Sequence, residues 1–410
     1  MGENLRNYKI LYISHDGLLD PLGKSQIIPY LKGLSEKGAK FVVLSFERKS
    51  SMRNRNDIKK LKSQLAYFGI TWKWLYYHKS PRLVATSFDI FCGWLYSLWL
   101  MKRYRIKIVH VRSYVAAFIA FGLKKICRLK FIFDMRGFWP EERIEAGIWK
   151  KGGLLYRISK YFEKIFLHSA DSIVSLTQVA RNEIKEFSFL KNKILDITCI
   201  PTCVDLEIFR FNHKVKDLEM KRSLEGKFVF IYSGSLSTWY MPQQLLAFFA
   251  VATTSIPQAH LLVLTKEEEL FMKILKNSNL CEDRISVLSV NYELLPNYLS
   301  LGKAGLAFYK PGYSRKGCCP TKLGEYLACG LPVIINTGIG DAEQILKKER
   351  TGIIIKEFSE AEHKRANQEL KELLLDNQLS TRCRNVAEKY FGLDEGIRRY
   401  YAIYQRLLDQ

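Results

Sequence analysis

A short segment in the second half of the chain combines a helix start with residues that suit an anionic ligand. Residues 317–340 read GCCPTKLGEYLACGLPVIINTGIG, and Pro320 followed by Thr321 is typical of the first residues of a helix. The free N–H groups of a first helical turn attract anions, and Lys322 adds a full positive charge there. Glu325 lies one turn further on, where a carboxylate suits a ribose diol. The segment therefore predicts a site for a phosphorylated nucleoside, with a capped helix and a solvated Glu325 as the alternative.

A second group of charged residues follows a strand in the first half. Residues 131–142 read FIFDMRGFWPEE, which places Asp134, Arg136 and Glu141 close to the carboxyl end of that strand. Charged side chains at this end of a strand are expected to face a ligand, because an unpaired charge inside the fold would be costly. The alternative is an ion pair between Asp134 and Arg136, followed by a helix with acidic residues in its first turn. The residues alone leave both interpretations open.

The first loop of the chain looks like a phosphate-binding loop but has the wrong spacing. Residues 17–25 read GLLDPLGKS between a predicted strand and a predicted helix, with five residues between Gly17 and Gly23. A P-loop has only four, and the extra residue would disturb the row of N–H groups that binds phosphate. The spacing therefore disfavours a P-loop nucleoside triphosphatase. A loop that faces a ligand fits better, as does a plain turn in which both glycines adopt positive φ.

Strands and helices alternate along the chain in two successive series. Apolar runs predict strands at 9–14, 41–46, 108–111, 131–134 and 172–176, and then at 228–233, 260–264, 285–288, 305–308 and 332–335. Helices are predicted at 25–37, 242–253 and 323–329. This alternation predicts parallel sheets that are covered by helices on both faces. We expect an α/β protein with domains at residues 1–205 and 206–395, and a last helix, 396–410, that crosses back to the first domain.

The charge of the chain predicts anionic partners. Its 410 residues include 64 Lys and Arg against 41 Asp and Glu, for a formal net charge of +23. Such an excess favours nucleic acid, a phosphorylated ligand or an acidic membrane surface, although a lysine-rich proteome would give the same bias. No recognition helix or zinc finger is evident in the sequence, so nucleic acid is not expected.

Basic clusters in the first half favour a membrane surface among these partners. They lie at residues 48–62, 102–107, 124–130 and 150–164. Several are interleaved with aromatic residues, a mixture typical of proteins that bind an anionic bilayer. The longest apolar stretch, 83–101, is interrupted by polar residues and predicts a buried or interfacial helix. Without a signal peptide, we expect a cytoplasmic protein with free cysteine thiols that lies on the inner face of the cell membrane.

Three motifs resemble glycosyltransferase family 4. Residues 200–209, IPTCVDLEIF, resemble the I-P-N-G-V-D-x-x-x-F segment that joins the two domains of that family. Residues 320–333, PTKLGEYLACGLPV, resemble its donor-binding helix, and residues 233–235, SGS, resemble the glycine turn after the first strand of its second domain. The opening strand and residues 23–26, GKSQ, also fit. The resemblance covers nearly the whole chain, and the joining segment and the donor helix are its specific parts.

The resemblance implies the GT-B fold, in which two Rossmann-like, doubly wound parallel-sheet domains face a central cleft. It also implies a retaining transferase that takes a sugar from a nucleoside diphosphate sugar, without a metal or other cofactor, and passes it to a glycan or polyprenyl-linked acceptor. The donor-binding residues would be Gly234, Ser235, Arg315, Lys316, Thr321, Lys322 and Glu325. The catalytic residues would be Asp134 and Arg136, and the acceptor-binding residues Asp16, Gly23, Lys24, Ser25 and Glu141.

The sequence departs from the family pattern at two places. Gly317 stands where the family often has a first glutamate, and Ser235 stands where it often has an arginine that holds the donor diphosphate. Trp239 and Tyr240 occupy the region of a second cation, and we expect Lys322 to compensate the diphosphate charge instead, together with Arg315 and Lys316. The losses also keep two alternatives open, a nucleotide-sugar epimerase of the same fold and a degenerate GT-B subunit that binds without catalysis.

Overall fold

The computed structural model describes residue 5 and residues 8–191, 195–210, 223–278 and 280–409. The chain forms two compact units, one of residues 1–201 with 393–410 and the other of residues 202–392. The predicted limits, 205/206 and 395/396, lie a few residues further along the chain. The last helix belongs to the first unit.

The first unit is built on a parallel seven-stranded sheet in the order β3-β2-β1-β4-β5-β6-β7. Its strands are β1 (Lys9–Ser14), β2 (Lys40–Glu47), β3 (Thr71–Tyr76), β4 (Ile108–Arg112), β5 (Lys130–Asp134), β6 (Ser172–Ser175) and β7 (Ile197–Cys199). Its first helices are α1 (Pro21–Gln26), α2 (Ile28–Glu36), α3 (Arg55–Tyr67), α4 (Arg82–Tyr104), α5 (Ser113–Ile126), α6 (Trp139–Glu145), α7 (Leu154–Ser169) and α8 (Gln178–Lys185).

The second unit repeats the arrangement with a parallel six-stranded sheet in the order β10-β9-β8-β11-β12-β13. Its strands are β8 (Phe228–Ser233), β9 (Ala259–Leu264), β10 (Ile285–Leu288), β11 (Ala304–Ala307), β12 (Val333–Asn336) and β13 (Gly352–Ile355). Its helices are α9 (Pro242–Ser255), α10 (Glu268–Lys276), α11 (Leu295–Leu299), α12 (Thr321–Ala328), α13 (Ala342–Glu349), α14 (Glu360–Leu373) and α15 (Leu379–Val386). The final helix, α16 (Leu393–Leu408), packs in the first unit.

Both sheets are Rossmann-like, as the alternation of strands and helices predicts. In each sheet the strand order reverses next to the first strand of the unit, between β1 and β4 and between β8 and β11. Ligands of such folds bind outside the carboxyl ends of the strands at this point. We therefore expect the ligand-binding side chains of each unit to lie near these two positions.

The predicted helix at 25–37 is wrong in its boundaries, because two helices occupy this region. The chain forms α1 and α2, with Ile27 between them at φ −118°. Pro29 lies in the first turn of α2, where a missing N–H costs nothing, whereas inside a continuous helix it would remove a hydrogen bond. Strands β3, β7 and β13 were not predicted.

The loop before α1 binds a carboxylate of the protein itself. Glu47, fully buried at the end of β2, accepts hydrogen bonds from the backbone N–H groups of Leu18 (2.7 Å) and Leu19 (3.4 Å). A P-loop would offer such N–H groups to phosphate. Neither Gly17 nor Gly23 has a positive φ, so the plain-turn interpretation is wrong in that respect. Gly23 instead packs against the backbone, since a Cβ there would lie 2.2 Å from the Gly17 carbonyl oxygen.

Candidate functional site

Helix α12 begins at Thr321, as its sequence predicts, and is tied to the end of β8 by Tyr326. The Tyr326 hydroxyl accepts a hydrogen bond from the Ser233 N–H at 2.7 Å. Gly305 leaves room for this ring, because a Cβ there would lie 2.2 Å from Tyr326 Cδ2. The backbone then turns at Gly234, whose φ of +116° favours glycine. This arrangement sets the first turn of α12 against the glycine turn.

Lys322 lies in an aromatic pocket at this turn. Its Nζ is 4.1 Å from the ring centroid of Tyr232, 4.3 Å from that of Tyr240 and 5.7 Å from that of Tyr309. A Cβ on Gly234 would lie 3.4 Å from the same nitrogen. We call these five residues the Lys322 pocket. Lys322 is only 6% exposed, and its Nζ has no hydrogen-bond partner among the residues that the structure describes.

Burial controls the charge of Lys322. It lowers the pKa of the ammonium to about 7, against the opposing effect of Glu325. The faces of the tyrosine rings attract a cation, but they do not accept hydrogen bonds from its N–H groups as an oxygen atom would. The pocket therefore holds an ammonium group whose N–H hydrogen bonds an anionic ligand can accept.

Glu325 is buried on the same helix, so the alternative of a solvated carboxylate is wrong. It is 5% exposed, and burial raises its pKa to about 7, although Lys322 and a hydrogen bond with Tyr292 lower it. Tyr292 was not predicted as a site residue. Its hydroxyl holds the Glu325 side chain next to the first turn of α12, which suits the predicted contact with a ribose.

The glycine turn is organised by a carboxylate rather than by an arginine. Ser235 Oγ donates a hydrogen bond to Glu267 at 2.9 Å, and Glu267 also accepts from the Leu236 N–H and from Ser237 Oγ, both at 2.5 Å. Burial would raise the pKa of Glu267, but these hydrogen bonds outweigh burial and lower it. Glu267 precedes α10 and carries no motif that would have identified it.

Trp239 and Tyr240, which stand where the family pattern often has a second basic residue, form one wall of this site. Trp239 packs under the Arg315 guanidinium, whose carbon is 4.3 Å from the ring centroid, and its neighbour Tyr240 covers Lys322. Arg315 is buried and also donates from Nη2 to Ser314 Oγ at 2.7 Å. Lys316 lies instead over the Tyr313 ring. The aromatic pair that replaces a basic residue of the family pattern thus positions two other basic residues, Arg315 and Lys322.

In the first unit, Asp134 lies at the centre of a buried group of charges. It is 1% exposed, and its Oδ2 accepts a hydrogen bond from the Tyr400 hydroxyl of α16 at 2.9 Å. Arg136 Nη1 and His110 Nε2 are each 3.8 Å from this oxygen, and Arg112 Nη1 is 4.0 Å from it. We call these five residues the Asp134 cluster. They gather at and beside the carboxyl ends of β4 and β5, next to the point where the strand order reverses.

The Asp134 cluster keeps its carboxylate ionised. Burial would raise the pKa of Asp134, but the neighbouring Arg136, His110 and Arg112 side chains outweigh burial and lower it. Asp134 Oδ1 and Arg136 Nη1 have no hydrogen-bond partner within the described ranges. Arg136 has a φ of +61°, an uncommon backbone conformation for a residue with a side chain. The ion pair that the sequence left as an alternative is therefore present, and both partners keep hydrogen-bonding atoms for a ligand.

The predicted acceptor residues are not all in one place. Asp16 joins the Asp134 cluster, since its Oδ2 is 3.8 Å from Arg112 Nε. Lys24 is exposed on α1, and Ser25 Oγ donates to the Pro21 carbonyl of its own helix. Glu141, on α6, forms an ion pair with Lys160 at 2.9 Å. Lys160 also donates a hydrogen bond to the fully buried Glu163, so these three residues form a separate group. Neither Glu163 nor Tyr400 was predicted, because both lie inside amphipathic helices.

Two family descriptions match the chain, one over most of each unit. The description Glycosyltransferase Family 4 matches residues 30–208, and Glycosyl transferases group 1 matches residues 215–390. No curated protein matches the chain.

Solved structures share the fold over almost its whole length. A glycosyltransferase from Rickettsia africae is 16% identical, with a TM-score of 0.70 and 98% of each chain covered. Sucrose-phosphate synthase from Thermosynechococcus elongatus is 14% identical, with a TM-score of 0.73 and coverage of 98% of this chain and 99% of that one. The Anabaena protein HepE, solved with UDP-glucose, is 12% identical, with a TM-score of 0.66 and coverage of 96% and 98%. In the protein described here, each of the two Rossmann-like units matches a glycosyltransferase family description. The chain is therefore a glycosyltransferase of the GT-B fold.

Proposed function

We propose that the protein transfers a sugar from a nucleoside diphosphate sugar to a hydroxyl of a glycan or lipid-linked acceptor, with retention of configuration. The expected setting is cell-surface polysaccharide synthesis on the cytoplasmic side of the membrane. The observation that carries the proposal is the Lys322 ammonium, buried beside the glycine turn without a hydrogen-bond acceptor among the described residues. A diphosphate supplies such acceptors together with the negative charge that a buried ammonium favours.

The donor is assigned to the second unit. Lys322 and the first N–H groups of α12 at Thr321 bind the diphosphate, with Arg315 and Lys316 adding positive charge nearby. Glu325 accepts hydrogen bonds from the ribose, and Gly234 and Ser235 let the backbone approach the donor closely. The structure of HepE with UDP-glucose supports a nucleoside diphosphate sugar as the class of donor.

The reaction breaks the bond between the sugar carbon and the diphosphate oxygen and forms a bond from that carbon to the acceptor oxygen. In the retaining course, the leaving diphosphate takes the acceptor proton on the same face. The residues around the diphosphate must then stabilise its negative charge, so cations and helix N–H groups matter more than a general base. We assign Asp134 and Arg136 to the reacting sugar, and Asp16, Gly23, Lys24, Ser25 and Glu141 to the acceptor. The proposal involves no metal.

The test is a screen of nucleoside diphosphate sugars for turnover without acceptor, followed by mass spectrometry. Slow release of a nucleoside diphosphate together with the unchanged free sugar, from one donor, supports the transferase. Conversion of the donor to an epimeric sugar nucleotide of the same mass, identified by NMR, indicates an epimerase, whereas binding without any turnover, with or without added acceptors, indicates a non-catalytic subunit. Once an acceptor is found, the anomeric configuration of the product, read by NMR, must equal that of the donor; inversion would contradict the retaining course.

A further inference from the structure

Helix α4 of the first unit exposes a row of large apolar side chains. Six of them are between 47% and 68% exposed: Leu83, Val84, Phe88, Phe91, Leu95 and Trp99. We call these six residues the α4 stripe. From Val84 onward they recur every three or four residues, so they lie along one side of the helix. A surface helix of a globular protein ordinarily turns such a side toward the core.

The opposite side of α4 packs on the first unit, with small and polar residues along most of its length and apolar residues near its carboxyl end. The buried positions on this side are Ala85, Asp89, Gly93, Ser97, Leu100 and Met101. Gly93 allows close packing, since a Cβ there would lie 2.6 Å from Ile119 Cδ1 of α5 and 2.8 Å from Phe46 Cζ of β2. Asp89 accepts a hydrogen bond from the His78 N–H at 3.0 Å, and its Oδ1 is 2.6 Å from His78 Nδ1. These contacts fix the orientation in which the α4 stripe faces outward.

Positive charges lie beside the carboxyl end of α4. Four basic residues there are exposed: Lys102, Arg103, Arg105 and Lys107. Helices α4 and α5 are both crossovers between parallel strands of one sheet, so their carboxyl ends lie at the same edge of that sheet. Exposed Lys125 and Arg128, at the end of α5, therefore extend the basic surface. The apolar stripe thus ends at a basic edge that Trp99 adjoins.

We propose that the α4 stripe inserts into the headgroup and acyl-chain boundary of an anionic bilayer, with α4 lying along the membrane surface. By length and composition α4 could also cross a membrane, with a mean hydropathy of 1.4 over its most apolar window. A spanning helix would have to break the contacts of Asp89 and Gly93 and place the Asp89 carboxylate in lipid. Lying in the interface keeps those contacts, buries the stripe, and brings the basic edge to the phosphate headgroups. This proposal stands independently of the reaction that the protein catalyses.

The test compares two variants that add the same negative charge at exposed apolar positions, Phe91→Asp in the α4 stripe and Leu375→Asp in the second unit. Co-sedimentation is measured with vesicles of phosphatidylcholine alone and of phosphatidylcholine with phosphatidylglycerol, at low and high salt. We expect the wild-type protein to bind only the anionic vesicles. Phe91→Asp should bind roughly tenfold or more weakly, because it loses an inserted ring and repels anionic lipid, whereas Leu375→Asp should bind like the wild type.

Fluorescence gives a second readout that does not depend on the folding of Phe91→Asp. Lipids brominated in the acyl chains should quench the wild-type protein and should quench Trp99→Phe markedly less, since that variant keeps an apolar side chain but loses the inserted indole. Three results would overturn the proposal: wild type that stays in the supernatant with anionic vesicles at low salt, equal vesicle binding by Phe91→Asp and wild type, or a wild-type dimer that Phe91→Asp converts to a monomer. The last would show that the stripe covers a second copy of the chain.

Discussion

The Asp134 cluster and the Lys322 pocket occupy equivalent places in two similar sheets, yet their charges are set in opposite ways. In the Asp134 cluster, neighbouring positive groups outweigh burial and lower the pKa of the carboxylate. In the Lys322 pocket, burial outweighs the neighbouring Glu325 and lowers the pKa of the ammonium to about 7. In the first unit, the Asp134 carboxylate is thus paired with arginines of the protein itself. In the second unit, the Lys322 ammonium is surrounded by tyrosine rings.

This difference indicates what each site does when a ligand arrives. A carboxylate that is ionised and held by Tyr400 keeps its position and charge throughout a reaction. An ammonium with few hydrogen-bond acceptors gains most of its stabilisation from the ligand, so its pKa should rise when a diphosphate binds. We therefore expect substitutions in the first unit to change turnover and substitutions in the second unit to change donor affinity.

The largest effect is expected from Asp134→Asn. The substitution keeps the size of the side chain and its ability to accept the Tyr400 hydrogen bond but removes the negative charge. We expect kcat for glycosyl transfer to fall by roughly 100-fold or more, the scale for loss of a positioned catalytic group. Affinity for the nucleoside diphosphate, measured by calorimetry, should not change. Tyr400→Phe, which retains the charge, is the milder control, and wild-type turnover in Asp134→Asn would remove Asp134 from the catalytic residues.

Lys322→Ala should produce the largest change in donor affinity. A hydrogen bond to a charged group contributes ~1.5–3 kcal/mol, so nucleoside diphosphate should bind roughly tenfold to 100-fold more weakly. The bare nucleoside should be affected little, because it lacks the phosphates. Lys303→Ala removes the same charge from an exposed position before β11 and should leave both affinities unchanged. Equal losses for nucleoside and nucleoside diphosphate in Lys322→Ala would contradict the assignment.

Glu325→Ala should differ from Lys322→Ala by weakening the binding of both the nucleoside and the nucleoside diphosphate, by roughly tenfold, because both ligands carry the ribose that Glu325 is proposed to contact.

The pH dependence of binding should be a smaller and more specific effect. Below pH 7 Lys322 is already protonated, whereas above about pH 7 the free protein must take up a proton to bind a diphosphate. The contribution of Lys322 to affinity should therefore fall as the pH rises above 7, by at most about tenfold per pH unit. Glu325, whose pKa is also raised to about 7, ionises over the same range, so the decline is read as the difference between the wild type and Lys322→Arg. Calorimetry in buffers of different ionisation enthalpy measures the proton uptake directly. Lys322→Arg stays charged, so a similar decline in that variant would show that another group is responsible.

The site was predicted best where one short segment carries it. The helix start at Thr321, with Lys322 and Glu325 in its first turns, follows from residue types typical of a helix start and from helical spacing, and the structure places all three on one helix whose N-cap is Pro320. Asp134 and Arg136 were predicted from their position after a strand, and Asp16 proved to be joined to them through Arg112. For Gly23, Lys24, Ser25 and Glu141 the structure shows only contacts within their own loop and helices, such as Ser25 with Pro21 and Glu141 with Lys160, so their role at the acceptor stays a prediction.

The two series of strands and helices, the family resemblance and the residues of the donor helix could be predicted from the sequence, because they depend on local periodicity and short motifs. The packing of the elements revealed that Tyr400 holds Asp134 across 266 residues, that Glu267 binds the glycine turn, and that tyrosines surround Lys322. It also decided which side of α4 faces outward. Burial and hydrogen bonding between distant residues depend on how the elements pack, and an apolar helix has the same sequence whether its apolar side meets a core or remains exposed.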